Sequence, residues 1–170
     1  YNVPANREGY PVMPNVELFG GIPTGVTVST GNTVTVTASG TWNTCMGGTL
    51  PTASFDPKSI GEVTLQPKGT GPGLCGLTDA NGLPFKDPTL VAPNINLGAL
   101  MGRIQREDGT STGWFFVGSS FQYGAPSSGE LYLAMNDYSM SGYYGTGAVM
   151  ANVSVSTETG SGTIEGTLSY

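Results

Sequence analysis

A chain of 170 residues is long enough for one domain with a sizeable core, or for one domain with terminal arms. Six basic and twelve acidic residues leave a net charge of −6, and histidine is absent. The basic footprint of a duplex-binding protein is therefore missing, as are serine–histidine triads, Cys–His dyads and His-bound zinc.

The 27 glycines and 12 prolines punctuate short runs of Val, Thr, Ile, Tyr and Phe. No long stretch carries apolar residues at helical spacing, and none is long enough and apolar enough to span a bilayer. That describes an all-β domain. The chain opens at Tyr1 without a charged start and apolar stretch, so any secretory leader is expected to have been cleaved or to lie outside this sequence.

Residues 1–24 read as an irregular arm, broken by Pro4, Pro11, Pro14 and Pro23, with Val16, Leu18 and Ile22 as material for a short edge strand. Alternation then becomes strong. Val26 and Val28 mark one strand and Gly31-Asn32 a turn, while Val34, Val36 and Ala38 form the inward face of the next. From Cys45 to Leu97 the pattern is mostly loop, with one short strand predicted over 61–66. A loop of that length in a compact domain is usually functional or disordered.

Cys45 and Cys75 bracket its first part. They predict one disulfide, which would stabilise the fold by roughly 3–4 kcal/mol through loop closure; two buried thiols are the alternative. Asp79, Asn81 and Asp87 lie further along. Asp79-Ala-Asn-Gly82 looks like the opening of a calcium loop, but the downstream acidic residue of an EF-hand is missing, so a turn is the simpler reading.

Leu97 to Ile104 predicts a buried strand and Trp114 to Val117 another. Trp114 is expected to pack at least partly into the sandwich, and Trp42 to lie more openly beside loops. Leu131, Leu133 and Met135 then alternate with Tyr132 and Ala134, and a returning strand carries Val149, Ala151, Val153 and Val155. Asn152-Val-Ser154 is a glycosylation sequon inside that strand and is discounted for that reason. Residues 157–170 read as a linker followed by a terminal strand or tail over 163–170. The domain proper thus spans 25–156.

Between the last two strands lies Asn136-Asp137, followed by a loop rich in Ser, Gly and Tyr. A carboxylate and a carboxamide at a strand's end offer hard oxygen ligands for Ca²⁺, or acceptors for sugar hydroxyls. Equally, they can simply shape a turn. Tyr138, Tyr143 and Tyr144 could stack on a sugar ring, or pack on the loop itself or on another subunit.

Four pieces in this order resemble the LecA-like (PA-IL-like) galactose-binding bacterial lectins. They are Gly31 to Trp42, Leu97 to Ile104, Phe115 to Gly118, and Gly129 to Asp137 followed by Gly147. The likeness runs from about Val26 to Val155. It implies a jelly-roll-type β-sandwich that binds a galactoside through one Ca²⁺ at the sandwich end. It also implies metal ligation by the Asp137 carboxylate and a carbonyl at Ser141, with another carbonyl near Trp42-Asn43-Thr44. Tyr144 and Gly145 stand where the family has two asparagine ligands, which predicts a weak or lost calcium site. Sugar contacts are implied for the loop 76–96, whose residues do not match the family's.

Two functions follow. One is an extracellular carbohydrate-binding module, secreted or at the cell surface and serving adhesion, with Trp42, Asn43, Asp79, Asn81, Asn136, Asp137, Tyr138, Tyr143 and Tyr144 as candidate ligand-binding residues. The other is a structural subunit of an extracellular filament or surface assembly, a homo-oligomer or a mixed one, built by sandwich packing and strand exchange. No phosphate loop, nucleophile elbow or recognisable carboxylate pair points to an enzyme.

Overall fold

A computed structural model describes residues 6–13, 20–44, 64–65, 74–139 and 146–157. They form an all-β antiparallel sandwich of two sheets. In the first sheet, β1 (Asn6–Val12), β11 (Thr146–Ser156) and β3 (Thr33–Asn43) lie side by side. The far edge of β3 is shared, with β9 (Ser120–Gly124) pairing its start and β6 (Leu77–Thr78) its end. The second sheet runs β2 (Ile22–Val28), β10 (Gly129–Met135), β7 (Leu100–Gln105), β8 (Phe115–Phe116). A two-stranded ribbon joins β4 (Thr64–Leu65) to β5 (Leu74–Cys75).

The longest ladder joins β3 to β11 in unbroken register, from Asn43 opposite Thr146 to Thr33 opposite Ser156. Period-two alternation explains why: Val34, Val36 and Trp42 face inward with Val149, Ala151 and Val153, while threonines and serines take the outer face. The opposing sheet contributes Val26, Val28, Leu100, Ile104, Leu131, Leu133 and Met135 to the same core. Each such side chain stabilises the fold by roughly 1.5–3 kcal/mol through burial.

The sandwich begins earlier in the chain than its alternation suggests, because residues 6–12 pair with β11 rather than forming an irregular arm. Pro11 is tolerated there because β1 is an edge strand, where a missing N–H breaks no ladder. The register slips between Arg7 and Tyr10, and the Gly9 amide at that slip donates to Asn152 Oδ1 at 2.7 Å. Asn152, the residue of the sequon, is thereby engaged within the sheet.

The strand predicted from Leu97 starts instead at Leu100. Leu97 and Gly98 belong to the turn before it, where Gly98 takes φ +76°. Of the strand predicted over 61–66, residues 64–65 are described and are extended. Val16, Leu18, Cys45 and the segment 163–170 lie outside the described residues. Among the described residues, no helix is long and apolar enough to cross a membrane.

Candidate functional site

The C-terminal ends of β3 and β10 meet at one end of the sandwich, and the loop 79–99 folds over them. β10 stops at Met135 because the next two residues turn their backbone to this loop. Asn136 donates its amide to Ala99 O at 2.8 Å and accepts Gly98 N at 2.7 Å, while Asp137 O accepts Val91 N at 2.9 Å.

The side chain of Asn136 is fully buried and fully engaged. Its Nδ2 donates to Ala92 O (2.9 Å), Ile95 O (2.8 Å) and Asn96 O (3.3 Å), and its Oδ1 accepts Ala92 N (2.9 Å). A carboxamide with donors and acceptor both spent has nothing left for a ligand. Asn136 therefore holds the 92–96 turn, in place of the ligand contact expected of it.

Trp42 also differs from expectation. It is 0% exposed, and its Nε1 donates to Gly98 O at 2.7 Å. Its ring packs in the core, while Trp114 is the half-buried tryptophan, resting against Met101 and Ala134 on the outer face of the second sheet. The indole carries its polar atom to a carbonyl of the neighbouring turn, which is why a tryptophan can end a buried strand face.

Next to it, Thr44 Oγ1 donates to Gly76 O (3.2 Å) and accepts Gly76 N (3.0 Å). A Cβ on Gly98 would stand 2.7 Å from Thr78 Cγ2 and 2.8 Å from Thr44 Cγ2, so only glycine fits between the two strands. Asn43 is half-buried, opposite Leu77 and Thr146 in the ladders.

Tyr138, expected as a stacking platform, is 3% exposed and packs with Leu83, Leu90 and Leu97 in a small core beneath the loop. Its backbone pairs with Leu90, and Ser139 anchors the same crossing through Thr89 O. Asp79 and Asn81 are occupied locally. Asp79 Oδ1 accepts Asn81 N at 2.8 Å, and Asn81 Oδ1 accepts the amide and hydroxyl of Ser119 at 3.0 and 3.1 Å. Asp87 caps its own turn through Thr89, and those hydrogen bonds lower its pKa. Tyr143, Tyr144, Gly145 and Ser141 lie outside the described residues.

Asp137 is different in kind. It is 1% exposed; among the described residues its Oδ1 accepts the Tyr138 amide at 2.8 Å, and its buried Oδ2 has no hydrogen-bond partner. Burial pushes its pKa up to about 7, against the lowering effect of that single amide. A buried carboxylate oxygen without a donor is costly as an anion, and a cation is one group that would satisfy it.

The residues present fit a cation only in part. Among the described residues no three His, Cys, Asp or Glu side chains come together. A hard cation seeking six to eight oxygens would have to draw the rest from carbonyls, hydroxyls and water.

No family model matches the chain, and no curated protein matches it. Among solved structures it is similar to the EclA N-terminal domain, a PllA-like lectin, with a TM-score of 0.53 at 17% sequence identity. The match covers 89% of this chain and 98% of that one. Identity this low speaks for architecture alone: the chain shares the fold of that domain, an all-β antiparallel sandwich of two sheets.

Proposed function

We propose that the protein is an extracellular carbohydrate-binding domain that receives a galactoside or related glycan at the Asp137 end of the sandwich, assisted by Ca²⁺. The observation that carries this reading is the orphaned Asp137 Oδ2, a buried carboxylate oxygen at a strand end beneath a long loop. The lectin fold of the similar domain supports the class of ligand. Ca²⁺ held by Asp137 would supply a Lewis-acidic centre for sugar hydroxyls.

The chain's own part is separable from the ion. Asp137 would supply the charge. Asn136 and Trp42 hold the loop 79–99 against the β10 end, so the carboxylate is presented on a fixed backbone. Tyr143 and Tyr144 are the remaining stacking candidates, and Ser141 the candidate carbonyl donor. With one carboxylate and with Tyr144 and Gly145 at the family's asparagine positions, affinity for Ca²⁺ is expected in the millimolar range.

Secretion is part of the proposal, resting on the two cysteines of this Gly/Thr-rich acidic chain. The test is a glycan array probed with folded protein in millimolar Ca²⁺ and in EDTA, alongside Asp137→Asn. Calcium-dependent binding that Asp137→Asn abolishes is the expected result. No binding to any neutral glycan under either condition would overturn it.

A further inference from the structure

The outer face of the second sheet carries a cross-strand row unrelated to the Asp137 end. Pro23 on β2 pairs with Tyr132 on β10, and Tyr132 pairs with Arg103 on β7. Trp114 immediately precedes β8, whose ladder with β7 ends at Phe115 opposite Gly102, the neighbour of Arg103. Neighbouring strands lie about 4.8 Å apart, so the row spans roughly 14 Å across the sheet.

Within it the Arg103 guanidinium sits between two rings, its Cζ 5.3 Å from the Trp114 centroid and 5.1 Å from that of Tyr132. The backbone below is shaped for this. Gly20 and Gly21 both have positive φ; a Cβ on Gly20 would meet Arg103 Nη2 at 2.6 Å, and one on Gly21 would meet Trp114 Cη2 at 2.8 Å.

One Arg103 nitrogen is spent, because Nε donates to Gly20 O at 2.6 Å. The two terminal nitrogens have no hydrogen-bond partner among the described residues. The acidic neighbour on the same face, Glu130, directs Oε1 to the Gly25 amide at 3.0 Å. Arg103, Trp114 and Tyr132 are each half-buried, and Phe116, 42% exposed, borders the row. A fixed, planar, partly accessible fork of N–H donors flanked by aromatic edges is complementary to a carboxylate attached to an apolar ring face.

We propose that this row is a second, calcium-independent site for a carboxylate-bearing sugar residue, a uronic or sialic acid, whose carboxylate is received by the terminal nitrogens of Arg103. A sugar fits better than a peptide here. β10 is paired on both sides, the far side of β7 beyond Gly102 is taken up by Ser111 and Thr112, and the edge strand β2 presents Pro23, which has no N–H, so an extended chain finds little backbone to pair with. Only side-chain contacts remain, and a sugar ring can exploit them by resting its C–H face on Trp114 and Tyr132.

The test titrates the full chain in EDTA with methyl glucuronoside, its methyl ester, acetate and tetraglutamate, read by calorimetry and tryptophan emission. The acid is expected to bind with a dissociation constant on the order of 1 mM, and the ester at least about tenfold more weakly. Acetate and tetraglutamate should also bind at least tenfold more weakly. Binding should persist in Asp137→Asn and fall in Arg103→Lys, which keeps the charge but loses the fork.

The emission change should vanish in Trp114→Phe, since Trp42 is buried elsewhere. Equal binding of acid and ester would overturn the proposal without recourse to any variant. So would equal binding of tetraglutamate or acetate, retention of binding by a folded Arg103→Gln, or no heat up to about 50 mM uronoside.

Discussion

Trp42 Nε1 donates to the carbonyl of Gly98 at 2.7 Å, with both residues buried, and so ties the end of β3 to the turn that precedes β7. Trp42→Phe should cost about 2–3 kcal/mol, from lost ring volume and from leaving the Gly98 carbonyl without its donor. Urea unfolding measures this. The same burial fixes a spectroscopic outcome: in single-tryptophan variants, iodide should quench Trp114 emission well and Trp42 emission hardly at all. Equal quenching would contradict the placement of the two rings.

Gly98→Ala attacks the same junction from the other side. The added Cβ meets two threonine methyl groups at 2.7 and 2.8 Å, and alanine must also adopt φ +76°. Neither methyl belongs to a long flexible side chain, so the backbone must shift. A loss of about 2–4 kcal/mol is expected in the same unfolding assay.

Asn136 makes a sharper case because its side chain closes the 92–96 turn by itself. Asn136→Leu removes bonds to Ala92, Ile95 and Asn96 and leaves their polar groups without the partner they had. About 3–5 kcal/mol of destabilisation is expected. The signature that separates this from general loss is local: the Ala92 amide should lose its hydrogen-exchange protection, while amides of the β3–β11 ladder keep theirs relative to global stability.

The β3–β11 ladder and the inward face of β10 are legible in the sequence because alternation is a local property. Val34, Val36, Leu131 and Leu133 declare their face within a few residues. Position along a ladder does not declare what lies above it. Asn136, Tyr138 and Trp42 read as ligand residues because a polar or aromatic residue at a strand end looks the same whether a loop covers it or not. The covering loop is held by contacts about forty residues apart in sequence, such as Asn136 to Ala92.

The surroundings of Arg103 are illegible in the sequence for the same reason. Trp114 and Tyr132 become its neighbours only through strand register. The β1 strand is masked by its proline, which an edge position accommodates. Asp137 remains a candidate after folding, because its buried, unpartnered oxygen sets it apart from the turn-capping carboxylates of Asp79 and Asp87.

Cys45 and Cys75 are expected to form a disulfide. Alkylation of the native protein without reductant should leave the mass unchanged, and reduction should expose two thiols. Closing a loop of about thirty residues implies a loss of roughly 3–4 kcal/mol on reduction. Two thiols that alkylate without reductant would remove both the bridge and the main support for secretion.

The protonation of Asp137 contributes a pH dependence of its own to the stability of the fold. Its carboxyl titrates at about 7 when folded, against an ordinary value of 3.8 when unfolded. Between those pH values the folded chain holds a proton that the unfolded chain has released. The stability contributed by this group is therefore fully present below about pH 4 and is lost as pH rises through 7. The fall amounts to a few kcal/mol at most, since a tenfold difference in proton affinity between the two states is worth about 1.4 kcal/mol.

In EDTA, wild-type stability relative to Asp137→Asn should decline from pH 4 to pH 8, because the carboxamide carries no charge to bury and still offers Oδ1 to the Tyr138 amide. Calcium reverses the sign above pH 7. A cation that binds only the folded, ionised form restores stability by mass action, and its apparent affinity should drop about tenfold per pH unit below 7. Asp137→Asn should show no calcium response at any pH. If wild type and Asp137→Asn follow the same stability profile in EDTA, the carboxyl is not buried as described. If calcium at tens of millimolar leaves the wild-type melting temperature unchanged at pH 8, the orphaned oxygen is not a calcium ligand.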